Sequence, residues 1–508
     1  MAQASGSSWR PRGPAAAAFA PSDYIATRVL ARTVCRAAQL PSRCRWLHTS
    51  SPAMTIGIEI IRESPDKVKQ SEARRFRGPE TVDKVIAIDE EWRKAQYNTE
   101  QKRKEVGQVQ AVITQRKKDS KGSDKCEDKL EEKMTLEAEV LKLEKVSDEL
   151  LEKRDAEIKK IGNLVGDEVP VSQDEEKDNK VTAKWGEPRD FGEFKYQTNG
   201  FRPHFELLEM IGAVEFAAGN DVAGNRGYFL TGPGVLLNQA LINYGIAFLH
   251  KRGYTPVQPP FFMKKDLMAK TAELDDYDDV LYKVVEDKDK PELDKYLIAT
   301  SEQPISAFHR AQSLDKAKFP IRYVGISSCF RREAGSSGRD IRGIFRVHQF
   351  EKIEQFVLTE PEKSWDEHKD MIKASEEFYQ SLEIPYHVVA IVSGELNNAA
   401  AMKYDLEGWF PCDNEGKGKY RELVSCSNCT DYQARAMGTK YGVNKGDPFC
   451  HMLNSTLCAT ERAMCCLVEN YQTPEGVKVP AALQPFTLGI DFFPFVKTVK
   501  EEKPAKKK

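Results

Sequence analysis

The sequence predicts an α+β protein, a long antiparallel helical hairpin followed by a domain of mixed strands and helices. Three observations carry this. Apolar residues recur in a three–four alternation on both sides of a polar break between residues 82 and 150. From about Val181 onward, short strand-like and helical segments alternate under frequent Gly and Pro punctuation. Within that stretch, Cys329-Phe330-Arg331-Arg332-Glu333-Ala334-Gly335 and Arg346-Val347-His348-Gln349-Phe350-Glu351-Lys352-Ile353-Glu354 read as two antiparallel strands joined by a polar Gly/Ser hairpin.

The first arm of the helical hairpin is marked by Val85, Ile88, Trp92, Ala95, Thr99, Lys102, Val106, Val109 and Ile113. The polar run 118–124 reverses the chain, and Leu136, Val140, Leu143, Ser147 and Leu150 carry the return arm at the same spacing. Each arm should run for about 35 residues and reach roughly 50 Å. Thr99 and Lys102 make an imperfect seam. Arg103, Lys104, Arg116, Lys117, Lys118, Lys121 and Lys125 cluster towards the tip, where they either grip a polyanion or form a solvated charged face. Residues 162–180 read as an acidic, Gly- and Pro-containing linker, and 275–295 as a polar insertion.

The chain has 508 residues, enough for two or three domains, and its formal net charge of −2 means that any nucleic-acid surface must be a local patch. Eleven cysteines without framework spacing point to reduced thiols. No run of about 18 apolar residues occurs, so no membrane-spanning helix is expected. Residues 1–53 hold seven arginines, no lysine and one acid, Asp23. That composition suits either an organelle transit peptide or an upstream extension before a start at Met54. Residues 497–508 form a lysine-rich tail.

On the paired strands, residues two apart share a face, so Phe350 and Glu354 should line one side of a pocket and Arg331 and Glu333 the partner strand. This sets a phosphate-binding cation, an aromatic platform and two carboxylates together, as ATP beside an amine-bearing substrate requires. No G-x-x-x-x-G-K-[ST] loop, strand-linked G-x-G-x-x-G or G-x-S-x-G elbow is present, so side chains must hold any nucleotide. Arginine suits that task because its planar fork grips phosphate oxygens in pairs.

Two further segments match this pocket. Residues 247–260 run from a helix into a proline-terminated strand, and residues 452–462 read as a strand followed by a helix with Arg462 near its start. Together with 329–354, they resemble the signature motifs of class II aminoacyl-tRNA synthetases. Thr300-Ser301-Glu302-Gln303-Pro304, Glu422-Leu423-Val424-Ser425-Cys426-Ser427-Asn428-Cys429 and 451–462 narrow the resemblance to the seryl-tRNA synthetase family of the eukaryotic cytosolic kind, over about 54–496.

That resemblance implies an antiparallel catalytic sheet flanked by helices over 171–496 and a tRNA-binding arm over 54–170. It implies a serine–tRNA ligase that uses ATP and Mg2+, works as a homodimer without a membrane, and charges tRNA(Ser), with tRNA(Sec) as a second substrate where the organism has one. The cytoplasm is the expected compartment for a chain starting near Met54, with a mitochondrial form starting at Met1 as the alternative. A non-catalytic tRNA-binding paralogue is the rival reading, and it would be expected to lack Arg331, Glu354 or Arg462. The hairpin between Ala334 and Arg342 should touch the acceptor end.

Residue by residue, the resemblance assigns Arg331 to the α-phosphate and the serine carboxylate, Glu333 to the adenine amino group and Phe350 to the underside of the base. Arg462 covers the other face and reaches the γ-phosphate. Arg332, Val347, His348, Gln349, Leu423 and Val424 complete the ATP pocket, with Glu422 holding Mg2+ and Ser425 beside it. Thr300, Ser301, Glu302 and Glu354 hold the serine ammonium, while Asn454 and Thr456 read its hydroxyl. Relatives carry Cys426-x-x-Cys429 without zinc, and no second C-x-x-C accompanies it here.

Overall fold

The computed structural model describes residues 56–191, 201–271, 280–333 and 342–498. The expected terminal extension, the lysine-rich tail from 499, part of the insertion and the hairpin residues 334–341 lie outside the described residues.

The helical hairpin forms as its periodicity predicts. Helix α1 (Glu80–Asp119) has 40 residues and α2 (Glu127–Ile158) has 32, or about 60 and 48 Å of helix. They run antiparallel, with Gln96 bonded to Ser147, Lys84 paired with Glu157 and Arg116 paired with Asp128. Val85, Ala95, Thr99, Val109 and Ile113 of α1 and Val140, Ser147 and Ile158 of α2 are buried along the hairpin. Thr99 satisfies its hydroxyl on Ala95 O, and Lys102 sits between Glu105 and Glu139. Both of these polar seam residues are therefore paired. The chain reverses through Gly122 at φ +90°, a backbone conformation that favours a residue without Cβ.

Nothing in the local pattern marked how the arm joins the body. Arg75, only 4% exposed, donates to the carbonyls of Asn163, Leu396, Asn397 and Ala400. Asn163 in turn donates to Ala399 O, Cys429 O and Thr430 Oγ1. Val82, Val85, Ile158 and Ile161 share an apolar cluster with Tyr432. The expected linker from 162 is thus clamped where it starts. Arg75→Ala would leave four carbonyls short of their donor and is expected to cost at least about 3 kcal/mol. An unchanged urea midpoint would show that this knot does not hold the base.

The second half is built on an eight-stranded sheet. Its strands are β1 (Lys180–Trp185), β2 (Thr255–Val257), β3 (Ile321–Phe330), β4 (Gln349–Thr359), β5 (Tyr386–Ala390), β6 (Met402–Phe410), β7 (Lys419–Asn428) and β8 (His451–Ala459). The order is β1-β5-β6-β7-β8-β4-β3-β2, with every pair antiparallel except β2–β3 at the edge. Helices α3 (Gly232–His250), α4 (Ser364–Ser381) and α5 (Thr460–Tyr471) flank it. Gly245 of α3 comes close to Ile353 and Leu457, so one face of the central strands is closed by helix. The other face carries alternate residues Phe350, Lys352 and Glu354.

One expected strand is shorter than its sequence suggests. β3 stops at Phe330 and β4 starts only at Gln349. Arg331 N still reaches His348 O at 2.9 Å, but Arg332 N turns to Val280 O and Glu333 takes φ +50°. The backbone is drawn off the ladder towards the segment at 280, so Arg331 and Glu333 project from a loop rather than alternate along a strand.

Candidate active site

β3, β4, β7, β8 and the start of α5 surround a solvent-open cleft. It is lined by Arg331, Glu333, Val347, Phe350, Glu422, Leu423, Thr456 and Arg462, all expected from the sequence. Ile344, Phe345, Arg346, Lys352, Ala459 and Glu461 line it too, and none of these was foreseen.

Two cation–aromatic pairs stand at the cleft. The Arg331 guanidinium lies 5.2 Å from the centre of the Phe350 ring, and that of Arg462 lies 4.8 Å from the Phe345 ring. Such stacking holds each arginine without consuming all its donors. Arg462 also donates to Glu422 Oε2 at 3.1 Å. Glu333 pairs with Arg346.

Desolvation would raise the Glu422 carboxyl, but Arg462, Arg331 and Lys403 outweigh it and hold this acid below its ordinary value. Its neighbour Asp405 is pushed the other way, by burial and then by the charge of Glu422. Asp405 stands opposite Ser425 in the β6–β7 register, and its Oδ1 is buried with no hydrogen-bond partner.

Beyond Lys352 lies a second group of side chains. Glu354, 4% exposed, accepts from Thr300 Oγ1 at 2.6 Å, Ser301 N at 2.6 Å and Ser301 Oγ at 2.5 Å, and pairs with Lys352 Nζ at 2.8 Å. Gly325 makes this possible, because a Cβ there would come within 2.4 Å of Ser301 Oγ. Thr456 is the cross-strand partner of Glu354. Glu302 accepts from Gln433 at 2.6 Å and from Asn454 at 2.8 Å. Burial, then the charge of Glu354, pushes the Glu302 carboxyl up to about 7.

The remaining expected residues stand around this frame. His348 Nδ1 lies 2.9 Å from Arg331 O and supports the backbone there. The Arg332 and Gln349 side chains are exposed, and Val424 is fully buried in the main core. Cys426 and Cys429 are buried free thiols, both raised above their ordinary pKa by burial, with Asn454 donating to Cys429 Sγ at 3.5 Å. Phe345 could have been found from its aromatic character in Gly343-Ile344-Phe345-Arg346. Lys352 carried no signal, because a lysine on a strand ordinarily reads as solvated.

The description "tRNA synthetase class II core domain (G, H, P, S and T)" fits residues 282–471, and "Seryl-tRNA synthetase N-terminal domain" fits residues 56–165. The chain is 48% identical over 459 residues to the serine–tRNA ligase of Helianthus annuus, covering 88% of this chain and all of that protein. The cytoplasmic serine–tRNA ligase of Arabidopsis thaliana is 47% identical over 456 residues, covering 87% of this chain and 96% of its own. Among solved structures, the cytoplasmic serine–tRNA ligase of Naegleria fowleri in complex with AMP superposes with a TM-score of 0.77 at 45% identity, covering 88% of this chain and all of that one. The seryl-tRNA synthetase of Pyrococcus horikoshii complexed with ATP gives 0.77 at 35% identity, covering 87% and 100%.

Proposed function

The chain belongs to the seryl-tRNA synthetase family and is a serine–tRNA ligase, and we propose that the cleft between Phe350 and Phe345 binds ATP beside a serine pocket built on Glu354 and Glu302. The observation that carries this is the joining of the two halves. A cleft with two stacked arginines is lined by Lys352 and Thr456, which are respectively the ion-pair and the cross-strand partner of the buried Glu354. Domain roles follow, with the arm of residues 54–170 for tRNA and 171–496 for catalysis.

In this reading Phe350 supports the adenine, Glu333 accepts from its amino group and Arg462 covers it and reaches the γ-phosphate. Val347 and His348 shape the wall, with Gln349 and Arg332 at its edge and Leu423 and Val424 behind it. The serine ammonium sits against Glu354, Thr300, Ser301 and Glu302, and its carboxylate faces Arg331. One carboxylate oxygen attacks the α-phosphorus in line, a P–O bond forms, and the bond to pyrophosphate breaks. Arg331 stabilises the charge that gathers on phosphorus, so catalysis is positioning plus electrostatics with no covalent enzyme intermediate. A hydroxyl of the terminal ribose of tRNA(Ser) then attacks the seryl carbonyl, an ester bond forms, and the bond to AMP breaks.

Glu422 and Ser425 are suited to a magnesium ion. Glu422 offers a carboxylate and Ser425 a hydroxyl, oxygen donors of the kind this ion takes beside phosphates. When bound with ATP, the ion supplies neutralising charge to the phosphates. The homodimer is proposed to form around 247–260, where the Thr255 and Pro256 edge is exposed and Phe262 is 50% exposed. Action in the cytoplasm agrees with the names of the relatives, and among the described residues no helix is long and apolar enough to cross a membrane.

Asn454 and Thr456 would bond the serine hydroxyl. Alanine would leave these groups unpaired, and threonine must be excluded by shape. Pyrophosphate exchange into ATP is therefore expected with serine, at least about a hundredfold above alanine, threonine, cysteine and glycine. Equal exchange with alanine would refute the hydroxyl pocket. No exchange with any of the five would refute the enzyme reading of the cleft.

A further inference from the structure

We propose that Lys352 is a positioning residue for the amino-acid half of the site: its ammonium clamps the Glu354 carboxylate, so that this acid presents a charged oxygen to the substrate ammonium. The proposal rests on the placement of serine at Glu354. Lys352 is 7% exposed, lies between Phe350 and Glu354 on one face of β4, and lines the cleft. Its Nζ is 2.8 Å from Glu354 Oε1. It therefore stands at the join of the nucleotide and amino-acid halves.

A buried ion pair is a poor device for stability alone, because desolvation consumes most of what the attraction supplies. Breaking one is a different matter, since a buried charge is left without its partner. Burial of Glu354 disfavours its ionised form. The Lys352 charge and hydrogen bond, followed by Ser301 and Thr300, outweigh that burial and hold the carboxyl below its ordinary range. Around it the charged and titratable groups are Lys352 on its own strand, Cys329 on β3, Glu302 in the Thr300 loop, and Lys403 of β6, whose field reaches Glu302. Only Lys352 among them makes an ion pair with Glu354.

With the clamp present, Glu354 stays charged as pH falls. Without it, Glu354 takes up a proton at higher pH, and the carboxylate that meets the serine ammonium is lost as the solution becomes acid. The test is the pH profile of kcat/KM for serine in pyrophosphate exchange, with KM for ATP measured alongside. In Lys352→Met the acid limb is expected to move up by about one pH unit or more, so that at a pH below both limbs the KM for serine rises at least about tenfold while that for ATP changes less than about threefold. Lys352→Arg, which keeps the charge, is expected to restore the limb.

A loss of equal size at every pH, a change carried by ATP, or a limb that Lys352→Arg does not restore would overturn the proposal. In a Glu302→Gln background the shift must persist. If it vanishes, Lys352 acts through Glu302 and the proposal fails. Should Lys352→Met not fold, Lys352→Met/Glu354→Gln removes both charges and must fold. If the double variant also fails to fold, Lys352 holds the strand through packing and the clamp is refuted. Absence of serine-dependent exchange in the unaltered protein would instead refute the placement of serine on which the proposal stands.

Discussion

Arg331→Ala is expected to lose serine-dependent pyrophosphate exchange by about three orders of magnitude or more while its affinity for tRNA(Ser) stays within about twofold. Arg331 leaves the end of β3 with its backbone still tied to His348, and its guanidinium is held over Phe350. Lys352 on the same face is engaged by Glu354, so Arg331 is the cation stacked on the ring that would carry the base. Its removal strips the charge that would meet the α-phosphate and weakens the field that keeps Glu422 ionised. Alanine also opens no buried cavity, since Arg331 is only partly buried, so the loss would be chemical rather than a failure to fold. Exchange within about tenfold of the unaltered protein would remove Arg331 from the proposed mechanism.

The second large effect is the reverse. Replacing residues 103–144 by a short glycine loop is expected to leave exchange within about twofold while kcat/KM for tRNA charging falls by at least about a hundredfold. Removing the whole arm would be a poor experiment, because Val82, Val85, Ile158 and Ile161 share their core with Tyr432 of the catalytic half. The cut at 103–144 spares that base and the Gln96–Ser147 contact. It takes away the tip, where Lys104, Lys117, Lys118, Lys121 and Lys125 make no ion pair among the described residues, although Arg103 and Arg116 are neutralised by Glu144 and Asp128. Those five lysines, with Lys142 further down the return arm, are the positive charges unpaired among the described residues that the cut removes from a phosphate backbone. Charging at the original rate by the shortened protein would end the division of labour between arm and body.

The arm was legible because its seam is written locally. A residue that must be buried every three or four positions leaves a periodic mark, and Val85, Ala95, Val109 and Ile113 are buried where that mark put them. The cleft was legible for a different reason. Phosphate and base recognition needs unusual residues in short runs, so Arg331, Phe350, Glu422 and Arg462 stand out within their own segments and meet in one cleft. Glu333 was read in the right place on the wrong backbone, since its departure from the ladder depends on a bond to Val280 that no local pattern contains.

What had no local mark is whatever depends on two distant segments meeting. Ser301 can reach Glu354 only because residue 325, on a neighbouring strand, lacks a Cβ. Arg75 binds carbonyls more than 300 positions away, and neither end differs in type from an ordinary arginine or loop residue. Lys352 is the sharpest case. Its chemistry is ordinary for a strand lysine, and burial beside Glu354 turns that ordinary charge into one that governs its neighbour. Residue type and spacing determine which segments fold and which groups can do chemistry. The environment that sets how strongly a charge acts is a property of the assembled sheet, because desolvation and Coulomb energy depend on distances that periodicity does not encode.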